Sequence, residues 1–255
     1  MPSFRFLAPA LFALALCGAP AIASAQSFSE PQRAEIETII KNYLLAHPEV
    51  LEEVSAELSK RQSAAETEKH EAAVAKNAQA IFSSPRGVTI GNKDGDVTFV
   101  EFFDYNCGYC KRAMADMLDL MKADPKLKVV LKEFPVLGPG SVEAAQVAVA
   151  VRMQDPTGKK YLDFHQKLLG GKGQADKARA MAAAKEAGVD MAKLDKDLAS
   201  PEVRATLEEN FKLAEDMGMN GTPSYVIGKQ VVIGAVGVDN LKEKIGVARC
   251  GKATC

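Results

Sequence analysis

The chain is poor in the residues that build metal centres, with three histidines and five cysteines in 255 residues. One C-x-x-C occurs, Cys107–Cys110, and no second pair or Cys/His cluster supplies the remaining ligands of a zinc site. His47 precedes Pro48 and reads as a helix-boundary residue, while His70 and His165 have no ligand-spaced neighbours. No metal and no cofactor is therefore expected. Charge of one sign is also missing. The formal net charge is −1, or −2 without Arg5, which gives no electrostatic case for nucleic acid or an anionic membrane as partner. After residue 25 no stretch approaches ~18 uninterrupted apolar residues, so no membrane span is expected. No internal repeat is visible.

The first 25 residues read as a signal peptide. Arg5 supplies the positive end, Leu7–Leu16 the apolar stretch and Ala23-Ser24-Ala25 a small-x-small cleavage site, making Gln26 the expected mature N-terminus. Cys17 leaves with this leader, and lipid attachment there is disfavoured by the bulky Leu16 before it. An exported chain meets an oxidising compartment, so Cys250 and Cys255 are expected to form a local structural disulfide. A regulatory dithiol and an intermolecular link stay open as alternatives.

Ser29–Gln62 reads as helix, with apolar residues at Ile36, Ile40, Tyr43 and Leu44, a break at His47-Pro48, then Leu51, Val54 and Leu58. These two short helices have too few large residues for a core of their own. They must pack on their own protein or on copies of themselves. Ser63–Ala80 is rich in Ala, Glu and Lys and has little to bury, so it reads as a helical or partly flexible spacer ending at Ser83-Ser84-Pro85. A solvated surface helix of the main domain is the alternative. Strands are expected at Val88–Ile90, Val97–Phe103 and Leu127–Phe134. A helical block follows over 141–217, then a hairpin of Tyr225–Ile227 and Val231–Ala235 and a last helix Val238–Ala248. This order describes an α/β, thioredoxin-like fold with an inserted helical subdomain, preceded by an N-terminal helical stalk. The expected domains are 26–82 for stalk and linker and 83–255 for the catalytic domain.

Cys107 and Cys110 lie one helical turn apart, between the apolar run Val97–Phe103 and the helix-like Lys111–Lys122. The N–H groups and dipole of a helix start favour a thiolate, so Cys107 is the candidate nucleophile and is expected to be exposed. Cys110, one turn in and shielded, is expected to resolve the mixed disulfide. Met114, Met117 and Met121 share one helix face and read as core packing.

The stretch Phe99-Val100-Glu101-Phe102-Phe103-Asp104-Tyr105-Asn106-Cys107-Gly108-Tyr109-Cys110, with Gly221-Thr222-Pro223 before a hairpin, resembles the DsbA branch of thioredoxin-fold oxidoreductases. The N-terminal FSEPQRAEIETIIKNYLLAHPEVLEEV is similar to the stalk of the suppressor-of-copper-sensitivity C (ScsC) proteins. The resemblance spans about Phe28 to Ala248. It implies a homo-oligomer, a trimer in that group, and a periplasmic location. It also implies disulfide-containing client proteins and a membrane-bound thiol reductant as partners. Thr222-Pro223 would be the cis-proline loop beside the cysteines, with the Thr222 hydroxyl able to contact the sulfur. Together with Gly108 and Tyr109 it would contact substrate. Glu101 matches the family's buried acid, which relays the proton that Cys110 must lose, and Lys132 is a candidate partner for it. Strong oxidants of the superfamily carry a histidine between the cysteines, which Gly108-Tyr109 lacks. Taking a cysteine from about 8.5 to about 3.5 requires roughly 7 kcal/mol, and a helix terminus offers about 0.3–2. A less acidic Cys107 and a less oxidising disulfide follow. Disulfide isomerase or reductase is therefore the first functional expectation. A DsbA-like dithiol oxidase and a copper-binding protein of a copper-tolerance system are the alternatives.

Overall fold

The computed structural model describes residues 28–255, so the expected signal peptide lies outside them. The chain divides into two compact units with the boundary after Leu58.

In the first unit, α1 (Glu30–Ala46) begins where Gln32 Oε1 accepts the Ser29 N–H at 2.9 Å, with Pro31 in its first turn. It ends where the His47 N–H donates to Tyr43 O at 2.8 Å, and Pro48 then separates it from α2 (Glu49–Phe82). His47 is thus a boundary residue. Ile36, Ile39, Ile40, Tyr43, Leu51, Val54 and Leu58 are all exposed.

The second unit is built on a sheet ordered β1-β3-β2-β4-β5. The strands are β1 (Val88–Gly91), β2 (Val97–Phe103), β3 (Leu127–Glu133), β4 (Ser224–Ile227) and β5 (Gln230–Ile233). β2 and β3 are parallel and the outer pairings antiparallel. The parallel pair needs a crossover, which α3 (Gly108–Ala123) supplies. Between β3 and β4 come α4 (Pro139–Arg152), α5 (Lys159–Gly170), α6 (Lys177–Glu186), α7 (Met191–Leu198) and α8 (Pro201–Asp216). α9 (Val238–Cys250) closes the chain. The mixed α/β fold with inserted helices is as expected. Helix breaks fall at Asp155-Pro156, Gly170–Gly173 and Ser200-Pro201, with a further one at Gly188-Val189-Asp190.

Both faces of the central strands are covered, so VTFVEFF and LKVVLKE are buried almost throughout, Glu101, Lys132 and Glu133 included. Phe99, Phe103, Val129 and Leu131 pack with α3, α4, α5 and α9. Val100, Phe102 and Val130 face the other way, toward Leu213, Ala214 and Met217 of α8 and toward Val74 and Ile81. Ser63–Ala80 is helical, as one form of the spacer expectation has it, but α2 is continuous to Phe82 and its last turns join the core, nearer to the alternative of a helix of the main domain. Val74 and Ile81, two turns apart on one face, retain 3% and 0% of their surface. Polar contacts fix the same segment, with Asn77 Nδ2 donating to Asp216 Oδ2 at 3.2 Å and Lys128 Nζ to Phe82 O at 3.1 Å.

At the C-terminus Cys250 and Cys255 form a disulfide, the expected local one. The tail folds back so closely that a Cβ on Gly246 would meet the Ala253 carbonyl oxygen at 2.5 Å. Only glycine fits there without moving the backbone.

Candidate active site

Cys107 is the N-cap of α3. Its extended backbone (φ −82°, ψ 114°) turns the Sγ toward the open end of the helix, where the Cys110 N–H donates to it at 3.3 Å. On the other side Sγ lies 3.2 Å from the Thr222 carbonyl oxygen, to which the thiol donates. Thr222–Pro223 is a cis peptide bond. The loop reaches the sulfur because Ser224, which opens β4, pairs with Phe102 at the end of β2. The Thr222 carbonyl accepts this bond, and the Thr222 side chain also hydrogen-bonds with the sulfur. Cys107 is also less open than expected, keeping 7% of its surface, because the α3 start and the Thr222 loop close over it. Cys110 is fully buried.

The two thiols differ in acidity. The Cys107 thiol is lowered to about 5, first by hydrogen bonding with the Cys110 side chain, then by the Thr222 side chain and by the backbone N–H groups of Cys110 and Tyr109. Burial pushes the Cys110 thiol up. Gly108 has open space where a side chain would project, and Tyr109 is exposed with the Arg112 guanidinium 4.4 Å above its ring.

Glu101 sits in β2 between Leu131 and Tyr225, keeping 3% of its surface. Burial raises its carboxyl to about 8, with the charges of Cys107 and Asp116 adding to the effect. Lys132 is not its partner. Lys132 pairs with Phe102 in the ladder, one residue out of phase with Glu101, so its side chain emerges on the opposite sheet face. There its ammonium lies 3.6 Å from Glu209.

Two clusters escaped sequence reasoning. Asp104, almost wholly buried, accepts four hydrogen bonds through its carboxylate, from Asn106, Ser141, Val136 and Leu137, and its carbonyl accepts the Cys107 N–H. The Asn106 amide in turn exchanges two bonds with Ala175, donating at 2.9 Å and accepting at 2.7 Å, which ties the redox loop to the helical insertion. Beneath them Glu133, Tyr161, Tyr105 and His165 form a buried hydrogen-bonded row. Burial raises the Glu133 carboxyl and holds His165 neutral, at about 3. The only signal for either cluster was the proximity of Asp104, Tyr105 and Asn106 to the C-x-x-C. Among the described residues no group of three or more His, Cys, Asp or Glu is placed to hold a metal ion.

Residues 98–246 match the DSBA-like thioredoxin domain, and residues 32–65 match the N-terminal domain of the copper resistance protein ScsC. A thioredoxin-like oxidoreductase from Silicibacter pomeroyi DSS-3 is 42% identical with a TM-score of 0.63, over 67% of this chain and 96% of that one. Proteus mirabilis ScsC in a transitional conformation is 30% identical with a TM-score of 0.64, over 88% of this chain and 97% of that one. Disulfide bond formation protein D of Bacillus subtilis (strain 168) is 29% identical over 180 residues, 64% of this chain and 77% of that protein. A thiol pair capping a helix, a cis-proline loop on its sulfur and these matches agree: the chain belongs to the DsbA-like thioredoxin family of thiol–disulfide oxidoreductases and carries the N-terminal domain of the ScsC proteins.

Proposed function

We propose that the protein is an exported, periplasmic disulfide isomerase and reductase, working as a homo-oligomer on misbridged client proteins. Cys107 is the nucleophile in this reading. Its thiolate attacks one sulfur of a client disulfide, forming a Cys107–client bond and releasing the other client sulfur as a thiolate. In isomerisation a different client thiolate then attacks the mixed disulfide, Cys107 leaves as thiolate, and no electrons are transferred overall. In reduction Cys110 gives its proton to Glu101 and attacks Cys107, leaving a Cys107–Cys110 disulfide and a client reduced by two electrons. A thiol reductant at the membrane restores the dithiol. With its carboxyl near 8, Glu101 suits this proton relay around neutrality. Tyr109, Gly108 and the Thr222-Pro223 loop flank the sulfur and are assigned to client contact.

The observation that carries the isomerase reading over simple oxidation is the exposed apolar row on residues 28–58. Such a row suits association between copies, which would gather several sites around one client and raise their effective concentration. A second reading, a monomeric dithiol oxidase, is favoured by the acidity of Cys107. Refolding of a scrambled disulfide protein separates them. The chain 26–255 is expected to restore activity to the client, whereas a chain beginning at Ser59 is expected to lose isomerisation and retain dithiol oxidation. Equal isomerisation by both would remove the oligomer from the mechanism.

A further inference from the structure

Asp104 lies three residues before Cys107 and takes no part in the exchange chemistry, yet it is 1% exposed and fully engaged. Oδ1 accepts the Asn106 N–H and the Ser141 hydroxyl, both at 2.7 Å. Oδ2 accepts two consecutive backbone N–H groups, Val136 at 2.8 Å and Leu137 at 2.9 Å. Capturing two adjacent N–H groups on one oxygen fixes the backbone of that dipeptide, while its side chains point outward. Val136 is 39% exposed and Leu137 50%. Through the Asp104 carbonyl, the same residue holds the Cys107 N–H at 3.1 Å. One residue therefore connects a pair of exposed apolar residues, through its side chain, to the backbone of the reactive cysteine, through its carbonyl.

We propose that Asp104 is a positioning residue that holds Val136 and Leu137 beside Cys107 as a preformed contact for apolar segments of client polypeptides. The inference rests on the reading of the chain as an oxidoreductase of proteins. Without the carboxylate the two N–H groups would turn to water, and the loop would have to be ordered each time a client binds, which weakens binding rather than chemistry. The geometry also sets a hierarchy among variants. An asparagine keeps an acceptor for Val136 and Leu137 but cannot accept from the Asn106 N–H or the Ser141 hydroxyl, its amide being left to donate to the Ser141 oxygen. An alanine loses all four bonds.

The test is exchange kinetics of the reduced intact protein with two disulfides. One is a disulfide-bridged peptide flanked by leucine and phenylalanine, and the other is the small aromatic disulfide dithiobis(nitrobenzoate). Asp104→Ala is expected to raise KM for the peptide about tenfold with a much smaller change in kcat, lowering the peptide-to-small-disulfide rate ratio by the same factor. Asp104→Asn is expected to fall between it and the parent, and it carries the test if the alanine variant does not fold. Leu137→Ser should reproduce the peptide defect, and the Asp104→Ala/Leu137→Ser double variant should be no worse than the weaker single. Equal losses on both disulfides, or additive losses in the double variant, would overturn the positioning role. A parent protein that exchanges with neither disulfide would overturn the oxidoreductase reading instead.

Discussion

At the scale of single residues, solvation divides the labour between the two sulfurs. Cys107 receives hydrogen bonds at a helix start and is held near 5, while burial denies Cys110 a charge. The iodoacetamide alkylation rate of the reduced protein should therefore rise with a midpoint near 5, and a midpoint near 8.5, that of a free thiol, would remove the basis for the nucleophile. That value lies between a free thiol and the strongest oxidants at about 3.5, as the uncharged Gly108-Tyr109 pair implies. Tyr109 is exposed, so Tyr109→His places an imidazolium near the sulfur without repacking the core. Its alkylation midpoint should drop by about one unit, with a more oxidising disulfide. Glu101 responds to pH in the opposite sense to an ordinary surface carboxylate. Its folded value, about 8, exceeds its unfolded one, 4.5, so its contribution to stability is complete below pH 4.5 and is lost as pH rises through 8. Glu101→Gln should match the parent in urea unfolding at pH 4 and exceed it by a few kcal/mol at pH 9, while slowing release of a Cys107 mixed disulfide. The gain should shrink in the oxidised protein, where Cys107 carries no charge.

At the scale of elements, the end of α2 acts as a lid on the sheet face built from Val100, Phe102 and Val130. Ile81→Ala should cost about 2–5 kcal/mol in urea unfolding of the second unit, as a fully buried aliphatic truncation does, whereas an alanine at the exposed Leu58 should cost little. A truncation at Ser83 would strip this lid, which is why Ser59 is the better start. The strands were legible in the sequence because their signal is local: Val97–Phe103 is a dense β-branched and aromatic run, and its observed bounds are the expected ones. The cover from α2 was not. Val74 and Ile81 are two apolar residues in an Ala/Glu/Lys-rich helix, and the strands they meet begin later in the chain. The wrong partner given to Lys132 has a similar origin. Its facing follows from a ladder register that no single strand contains. The Asp104 clamp joins segments 32 to 37 residues apart, with no pattern to mark them.

At the scale of the whole molecule, the second unit carries the redox pair and the first carries an exposed row of Ile36, Ile40 and Tyr43. Ile40→Glu with Tyr43→Glu should lower the mass measured by light scattering to that of one chain and reduce isomerisation of scrambled clients. Alkylation of Cys107 should be untouched, since both changes lie in the first unit. An unchanged mass would direct attention to another interface. The stapled tail has a practical bearing on all such experiments. Reduced under denaturing conditions, a chain of residues 26–255 offers four sulfhydryls, two belonging to the Cys107–Cys110 pair and two to the Cys250–Cys255 loop. A potential drawn from total sulfhydryl release would blend two unrelated couples. A Cys250→Ser/Cys255→Ser background would isolate the first, and protein made in a reducing cytosol should be oxidised and mass-checked before any electron count is assigned to catalysis.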